Sequence, residues 1–159
     1  MSEPYEETIQ GETTLRLPPR VRHELICTRL HEVIKASAAN FPGTKLLELR
    51  SAIRVDANNL LRPDLAIATP ATGKIWLAAE VVSSEDHHAD TVEKKQIYED
   101  MKLPRLWMVD PRYNNVEVYH ASEYGMRLES ILAGSDVLTE KLLPEFQIAI
   151  ADLFATNHG

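Results

Sequence analysis

The chain has 159 residues, a net charge of −7 and one cysteine. This length suits one domain, and the single cysteine excludes an internal disulfide or a cysteine-based zinc finger. No segment approaches the ~18 consecutive apolar residues of a membrane helix, and the acidic N-terminus is unlike a signal peptide. We therefore expect one cytoplasmic domain over residues 1–159 and no membrane partner.

Charge is distributed unevenly along the chain. Residues 16–62 carry nine basic and four acidic side chains, whereas the remainder is acidic. The negative total argues against a protein that coats nucleic acid non-specifically. The basic zone 16–62 is either a phosphate-binding surface or an ordinary solvated one.

The predicted elements alternate between short strands and two helices. Turn and apolar signals predict a β-hairpin at 8–17 around Gly11, then a helix at 21–38. Strands are predicted at 46–49, 53–56, 65–68, 75–82, 106–109, 116–119, 126–132 and 146–148. A second helix is predicted at 89–101 and a helical turn at 152–155. This order predicts an α/β fold with a central mixed β-sheet flanked by helices and an N-terminal β-hairpin.

Two carboxylates stand out on neighbouring strands. Glu80 interrupts an otherwise apolar run at 75–82 that suits a strand buried on both faces. A buried carboxylate must be paired or must bind a metal. Asp64 begins the preceding strand, where an aspartate is also common as a turn residue. Two carboxylates at one end of a sheet would form a site for a hard divalent cation, and a structural ion pair is the alternative for Glu80.

Lys94 is predicted to face inward from the second helix. At about 100° per residue, it falls within the apolar stripe formed by Ile97, Tyr98 and Met101, whereas Lys95 falls on the outer face. An inward lysine needs a counter-charge, which Glu80 and Asp64 would supply. The alternatives are that Lys94 extends to the rim or pairs with Asp90 four residues earlier.

These residues match a family pattern in which a glutamate is followed by Ser, Asp, Lys and Tyr after three, ten, fourteen and eighteen residues. Here the pattern falls on Glu80, Ser83, Asp90, Lys94 and Tyr98. Further matching segments are Arg62-Pro63-Asp64-Leu65, Trp107-Met108-Val109-Asp110-Pro111, Val116-Glu117-Val118-Tyr119, Gly11-Glu12 and His23. In these motifs the chain resembles the Uma2 family of restriction endonuclease-like proteins, within the PD-(D/E)XK nuclease superfamily. The resemblance covers roughly residues 5–155.

The resemblance implies a restriction endonuclease-like fold and a metal-dependent endonuclease that hydrolyses phosphodiester bonds, with DNA as the expected substrate. The catalytic residues would be Asp64, Glu80 and Lys94. The metal ion, Mg²⁺ or Mn²⁺, would be held by Asp64 and Glu80, with Glu12 further out. His23, Ser83, Asp90 and Tyr98 would support these groups or contact substrate. The superfamily lysine is expected at position 82, where this chain has Val82. The pattern displaces that lysine to Lys94.

Other interpretations stay open. The fold could serve as a catalytically silent binding or assembly module. The tripeptide Asp86-His87-His88 matches a phosphoesterase motif whose other segments are missing, and His87 and His88 lack convincing partners for zinc. Cys27 suits core packing better than nucleophilic catalysis. A homodimer is expected, with Val116, Val118 and Tyr119 as candidates for an edge-strand contact.

Overall fold

The N-terminal segment forms the predicted hairpin from β1 (Tyr5–Ile9) and β2 (Glu12–Arg16). The computed structural model describes residues 3–82 and 88–156, with the backbone alone for 88–90. The hairpin turn places Gln10 and Gly11 at φ of 53° and 82°, the left-handed region that glycine enters without steric cost. The hairpin starts three residues earlier than the sequence pattern predicts.

The remaining elements follow the predicted order. They are α1 (Val21–Ala38), β3 (Lys45–Leu46), β4 (Ile53–Asp56), β5 (Asn59–Leu61), β6 (Leu65–Ala68), β7 (Ile75–Val81), α2 (His88–Asp100), β8 (Arg105–Asp110), β9 (Asn115–Ser122), β10 (Gly125–Ala133), β11 (Val137–Glu140), β12 (Leu143–Ala149) and α3 (Ile150–Leu153). The strands β5 and β11 are additions to the prediction. β5 spans only three residues, and β11 has only one buried apolar side chain, Leu138, so neither carries a clear pattern.

The central sheet has six strands in the order β10-β9-β8-β7-β6-β3. β7 and β8 are parallel and are joined through α2, whereas the other pairs in this sheet are antiparallel. A second sheet, in the order β2-β1-β5-β4, contains the hairpin, and β11 pairs with β12. The mixed sheet with few helices confirms the predicted fold class.

Both faces of the central sheet are covered, which buries β7 on both sides as predicted. On one face, α1 and β12 pack against β7 and β8, where Trp107 stacks on Phe146 with ring centroids 5.5 Å apart. On the other face, α2 contributes Ile97 and Tyr98, and β1 contributes Ile9. The hairpin is thereby fixed to the same face as α2. None of the described helices is long and apolar enough to cross a membrane.

The residues proposed for an edge-strand contact lie in the interior. β9 is hydrogen-bonded to β8 on one side and to β10 on the other, and Val116, Val118 and Tyr119 are all buried. Their apolar character therefore reflects core packing, and the prediction that they form a dimer contact is wrong. The homodimer itself stays a prediction without a located interface.

Candidate active site

Asp64 and Glu80 lie at the same end of an antiparallel strand pair. Leu65, the first residue of β6, pairs with Ala79 of β7, so Asp64 and Glu80 occupy the adjoining positions. The backbone N–H of Val81 donates to Oδ2 of Asp64 at 2.8 Å, which ties this carboxylate to the strand that carries Glu80. The sheet register therefore brings the two carboxylates to one end, as the sequence predicts.

Lys94 reaches this end from α2 and is 8% exposed. Its Nζ atom donates to Oε1 of Glu80 at 2.9 Å and to Oε2 of Glu7 at 2.8 Å. The side chain thus faces the sheet beside Ile97 and Tyr98, as the helical spacing predicts, and does not extend to the rim. The hydroxyl of Tyr98 donates to Oε2 of Glu80 at 2.6 Å, so α2 supplies two donors to one carboxylate.

Glu7 is the member of this cluster that the sequence interpretation missed. It lies on β1 and is 2% exposed. Besides Lys94, its carboxylate accepts hydrogen bonds from Nε of Arg16 at 3.1 Å and from the backbone N–H of Arg62 at 2.7 Å. The alternation that places Ile9 in the core also turns Glu7 inward. That period-two pattern is the signal by which Glu7 could have been found.

Asp64 is held by side chains from α1 and from the segment before β4. Its Oδ1 atom accepts from Nε2 of His23 at 3.1 Å and from Nη1 of Arg50 at 2.9 Å. Arg50 also binds both oxygens of Glu24, and its guanidinium lies over the ring of Tyr5 at 5.9 Å. The predicted His23 therefore contacts Asp64, whereas Arg50, Glu24 and Tyr5 were not predicted.

Burial and charge set different protonation preferences in the cluster. Burial, together with the charges of Glu7 and Asp64, raises the pKa of Glu80 to about 7 against the opposing effect of Lys94. Burial alone would lower the pKa of Lys94, but Glu80 and Glu7 raise it, because one ammonium faces two carboxylates. Although burial opposes it, hydrogen bonds from His23 and Val81 and the charge of Arg50 lower the pKa of Asp64. Glu80 therefore takes up a proton more readily than Asp64 does.

One predicted residue, Glu12, is not brought into the cluster, and the side chains of several others are not described. Glu12 is exposed, next to the hairpin turn. Ser83, Asp86 and His87 lie outside the described residues, and Asp90 and His88 are described by their backbone alone. Their predicted roles stay predictions.

Lys95 differs from its predicted position. It is partly buried, with Nζ 4.1 Å from the ring centroid of Tyr119, and it lines a small cavity with Glu80 and Lys94. The expectation that it lies on the outer face is wrong, because the aromatic ring of Tyr119 on β9 attracts its ammonium.

Much of the basic zone 16–62 is used inside the fold. Arg22 and Arg29 donate to backbone carbonyls near the C-terminus, at Phe154 and Ala155 among others. Arg62 donates to the backbone oxygens of Glu6 and Arg50. Five arginines of the zone thus have partners within the protein: Arg16, Arg22, Arg29, Arg50 and Arg62. Three other basic side chains are exposed: Lys35, Lys45 and Arg54. A phosphate-binding role for the zone therefore depends on fewer side chains than the composition suggests.

Comparison with known proteins identifies the family of this chain. A family model described as "Putative restriction endonuclease", Uma2, matches residues 2–151. The chain belongs to the Uma2 family. Its fold is similar to the crystal structure of a putative nuclease of the DUF820 group from Anabaena variabilis, with a TM-score of 0.80 and 18% identity. That match covers 97% of this chain and 92% of the other. A search of curated proteins found no match.

Proposed function

We propose that this protein, acting as one domain over residues 1–159, is a divalent-metal-dependent endonuclease that hydrolyses phosphodiester bonds of DNA. The observation that carries the proposal is the buried ammonium of Lys94 between Glu80 and Glu7, at the sheet end where Asp64 also lies. Membership of the Uma2 family supports it. Carboxylates that can hold a cation and a lysine directed at the same point are groups that metal-assisted phosphodiester hydrolysis uses.

The residues of the cluster fit a hard divalent cation. Asp64, Glu80 and Glu7 offer only oxygen atoms, the donors that Mg²⁺ and Mn²⁺ prefer. Burial, together with the charges of Glu7 and Asp64, raises the pKa of Glu80 to about 7, although Lys94 is adjacent. A bound dication would favour the ionised form of this buried carboxylate. We propose that Asp64 and Glu80 hold Mg²⁺ or Mn²⁺, with Glu7 as the third nearby carboxylate.

The chain's own residues divide the remaining tasks. When bound, the cation supplies a Lewis acid that activates water and offsets phosphate charge. Lys94 keeps its proton, because its pKa is raised, and so holds a positive charge where the phosphate charge grows. His23 and Arg50 fix the Asp64 carboxylate, and Tyr98 orients Glu80. Ser83 and Asp90 remain proposed contacts to substrate.

A cleavage assay tests this function. Purified protein is incubated with plasmid DNA, single-stranded DNA and RNA, each with Mg²⁺, with Mn²⁺ and with a chelator. We expect DNA cleavage only when a divalent cation is present. Cleavage of RNA but not DNA would contradict the proposed DNA substrate. Cleavage in the presence of the chelator would contradict metal dependence. If no substrate is cut with either metal, the silent binding or assembly module becomes the better interpretation.

The raised pKa of Glu80 predicts a pH-dependent metal affinity. Below about pH 7 the carboxyl group keeps its proton and must release it to bind a cation. We expect Mn²⁺ affinity to rise about tenfold per pH unit towards pH 7 and then to level off. Calorimetric titration at several pH values measures this. An affinity that stays constant between about pH 5 and pH 8 would contradict it.

The same pKa predicts the stability of the metal-free protein. Because the folded-state pKa of Glu80 lies above its ordinary value of 4.5, the folded form binds the proton more tightly than the unfolded chain does. The stability from this proton is complete below about pH 4.5 and is lost as the pH rises through 7. Glu80→Gln should reduce this loss, whereas Glu123→Gln, on the exposed β9–β10 turn, should not. Urea unfolding of the three proteins at pH 5 and pH 8 gives the comparison.

A further inference from the structure

A second group of ligand-type side chains surrounds Asp64 on the side of α1. His23 and Cys27 are four residues apart on this helix, so they share one face. One donor atom each from His23, Cys27 and Asp64 lies within 4.8 Å of the other two. In a tetrahedral site with metal–ligand distances of about 2.0–2.3 Å, ligand atoms lie roughly 3.3–3.8 Å apart. Small side-chain shifts would therefore bring these three atoms around one ion.

The chemistry of this group differs from that of the Glu80 cluster. Glu80 and Glu7 offer only oxygen, whereas His23 and Cys27 offer nitrogen and sulfur. Imidazole and thiolate ligands favour Zn²⁺ and similar ions over Mg²⁺. Three protein ligands leave one position of a tetrahedral ion for water.

Arg50 shows that this location accommodates positive charge. Its Nη1 atom donates to Asp64 at 2.9 Å and lies 3.9 Å from Sγ of Cys27, while Nη2 binds Glu24. The Arg50 guanidinium is thus the positive charge that the oxygen atoms of Asp64 and Glu24 and the sulfur of Cys27 surround. A metal ion would compete with this guanidinium for Asp64.

We propose that His23, Cys27 and Asp64 form a binding site for a thiophilic divalent cation of the zinc class. On binding, a metal–sulfur bond replaces the S–H bond of Cys27 and the thiol proton passes to solvent. Neutral His23 shifts its proton to Nδ1 and coordinates through Nε2, and Asp64 exchanges its bond to Arg50 for the metal. One proton is released for each ion. Binding itself does not depend on the proposed nuclease function, but because Asp64 is shared, such an ion would inhibit Mg²⁺-dependent cleavage.

Cobalt provides a direct probe of metal binding by Cys27. Because Cys27 is the only cysteine in the chain, any thiolate-to-cobalt absorption must come from this residue. We expect Co²⁺ titration of the whole protein to produce a thiolate-to-cobalt absorption band in the near ultraviolet that saturates at one ion per chain. Zn²⁺ should abolish the band, and a hundredfold excess of Mg²⁺ should not. The assay needs no nucleic acid, so a protein that cuts nothing would still show the band.

Variants separate this site from adventitious binding. Cys27→Ser should lose the band, and His23→Ala should weaken cobalt affinity at least tenfold. His120→Ala, on β9, should bind cobalt like the wild type. Circular dichroism confirms that each variant is folded, and Cys27→Ala replaces Cys27→Ser if the serine disrupts the core. Absence of the band in wild-type protein, or a band whose affinity is unchanged in His23→Ala, would overturn the proposal.

Discussion

Lys94→Ala is expected to reduce metal-dependent cleavage by about 10²–10³-fold, which is typical of losing one electrostatic stabiliser of a transition state. The substitution also leaves Glu7 and Glu80 buried without their shared ammonium. Breaking a buried ion pair in this way lowers the free energy of unfolding by about 3–5 kcal/mol. The loss should be smaller at pH 5, where Glu80 takes up a proton.

Lys95→Ala is the matched control, because it removes the same charge one residue away. The variant loses the contact of this ammonium with the ring of Tyr119, which is worth about 0.5–1 kcal/mol. It also loses one side chain from the wall of the cavity beside Glu80, but no hydrogen bond or ion pair to Glu80 comes from Lys95. We expect its cleavage rate to stay within tenfold of wild type. Both variants are assayed with Mg²⁺ and Mn²⁺ below the melting temperature of the less stable one. Equal losses in the two variants, or full activity in Lys94→Ala, would remove Lys94 from the catalytic group.

The second large effect is expected for Glu7, the carboxylate supplied by the hairpin. Glu7→Gln removes the negative charge that Lys94 and Arg16 share. Both buried cations lose their ion pair with Glu7, although Lys94 keeps its pair with Glu80. We expect the free energy of unfolding to fall by about 3 kcal/mol or more and cleavage to fall at least tenfold. Denaturant unfolding and the plasmid assay measure the two effects.

Glu12→Gln distinguishes the two acidic residues of the hairpin. Glu12 is exposed, so this change should alter stability by less than about 0.5 kcal/mol. Cleavage should be close to wild type if Glu7 is the carboxylate that acts with Asp64 and Glu80. A loss of metal binding in Glu12→Gln with none in Glu7→Gln would reverse this assignment in favour of the sequence prediction.

The parts of the fold with strong local patterns could be predicted from the sequence. The helix α1 has the bounds Val21–Ala38 that its apolar spacing indicates, and the continuous apolar run of β7 correctly indicated burial on both faces. Lys94 was assigned inward because a helix fixes the direction of every side chain once its apolar stripe is known. In these cases the sequence of one helix or strand is enough to predict which of its side chains are buried.

The missed residues depend on contacts between elements. Glu7 lies outside the predicted hairpin, which begins at residue 8, so the predicted strand does not include its inward alternation with Ile9. Arg50 carries no local signal, because its partners Glu24 and Asp64 come from α1 and from the start of β6. The prediction for Lys95 is wrong for the same reason, because its contact with the ring of Tyr119 joins two different elements, α2 and β9.

The contact between Glu7 and Lys94 joins residues that are 87 positions apart in the chain. Contacts of such long sequence separation close a long loop, and proteins rich in them fold more slowly than proteins with mainly local contacts. During synthesis, the hairpin leaves the ribosome well before α2 does. The buried charge cluster therefore assembles only after more than half of the chain has emerged. Under the proposed function, a nascent chain that lacks α2 would therefore leave nearby nucleic acid uncut.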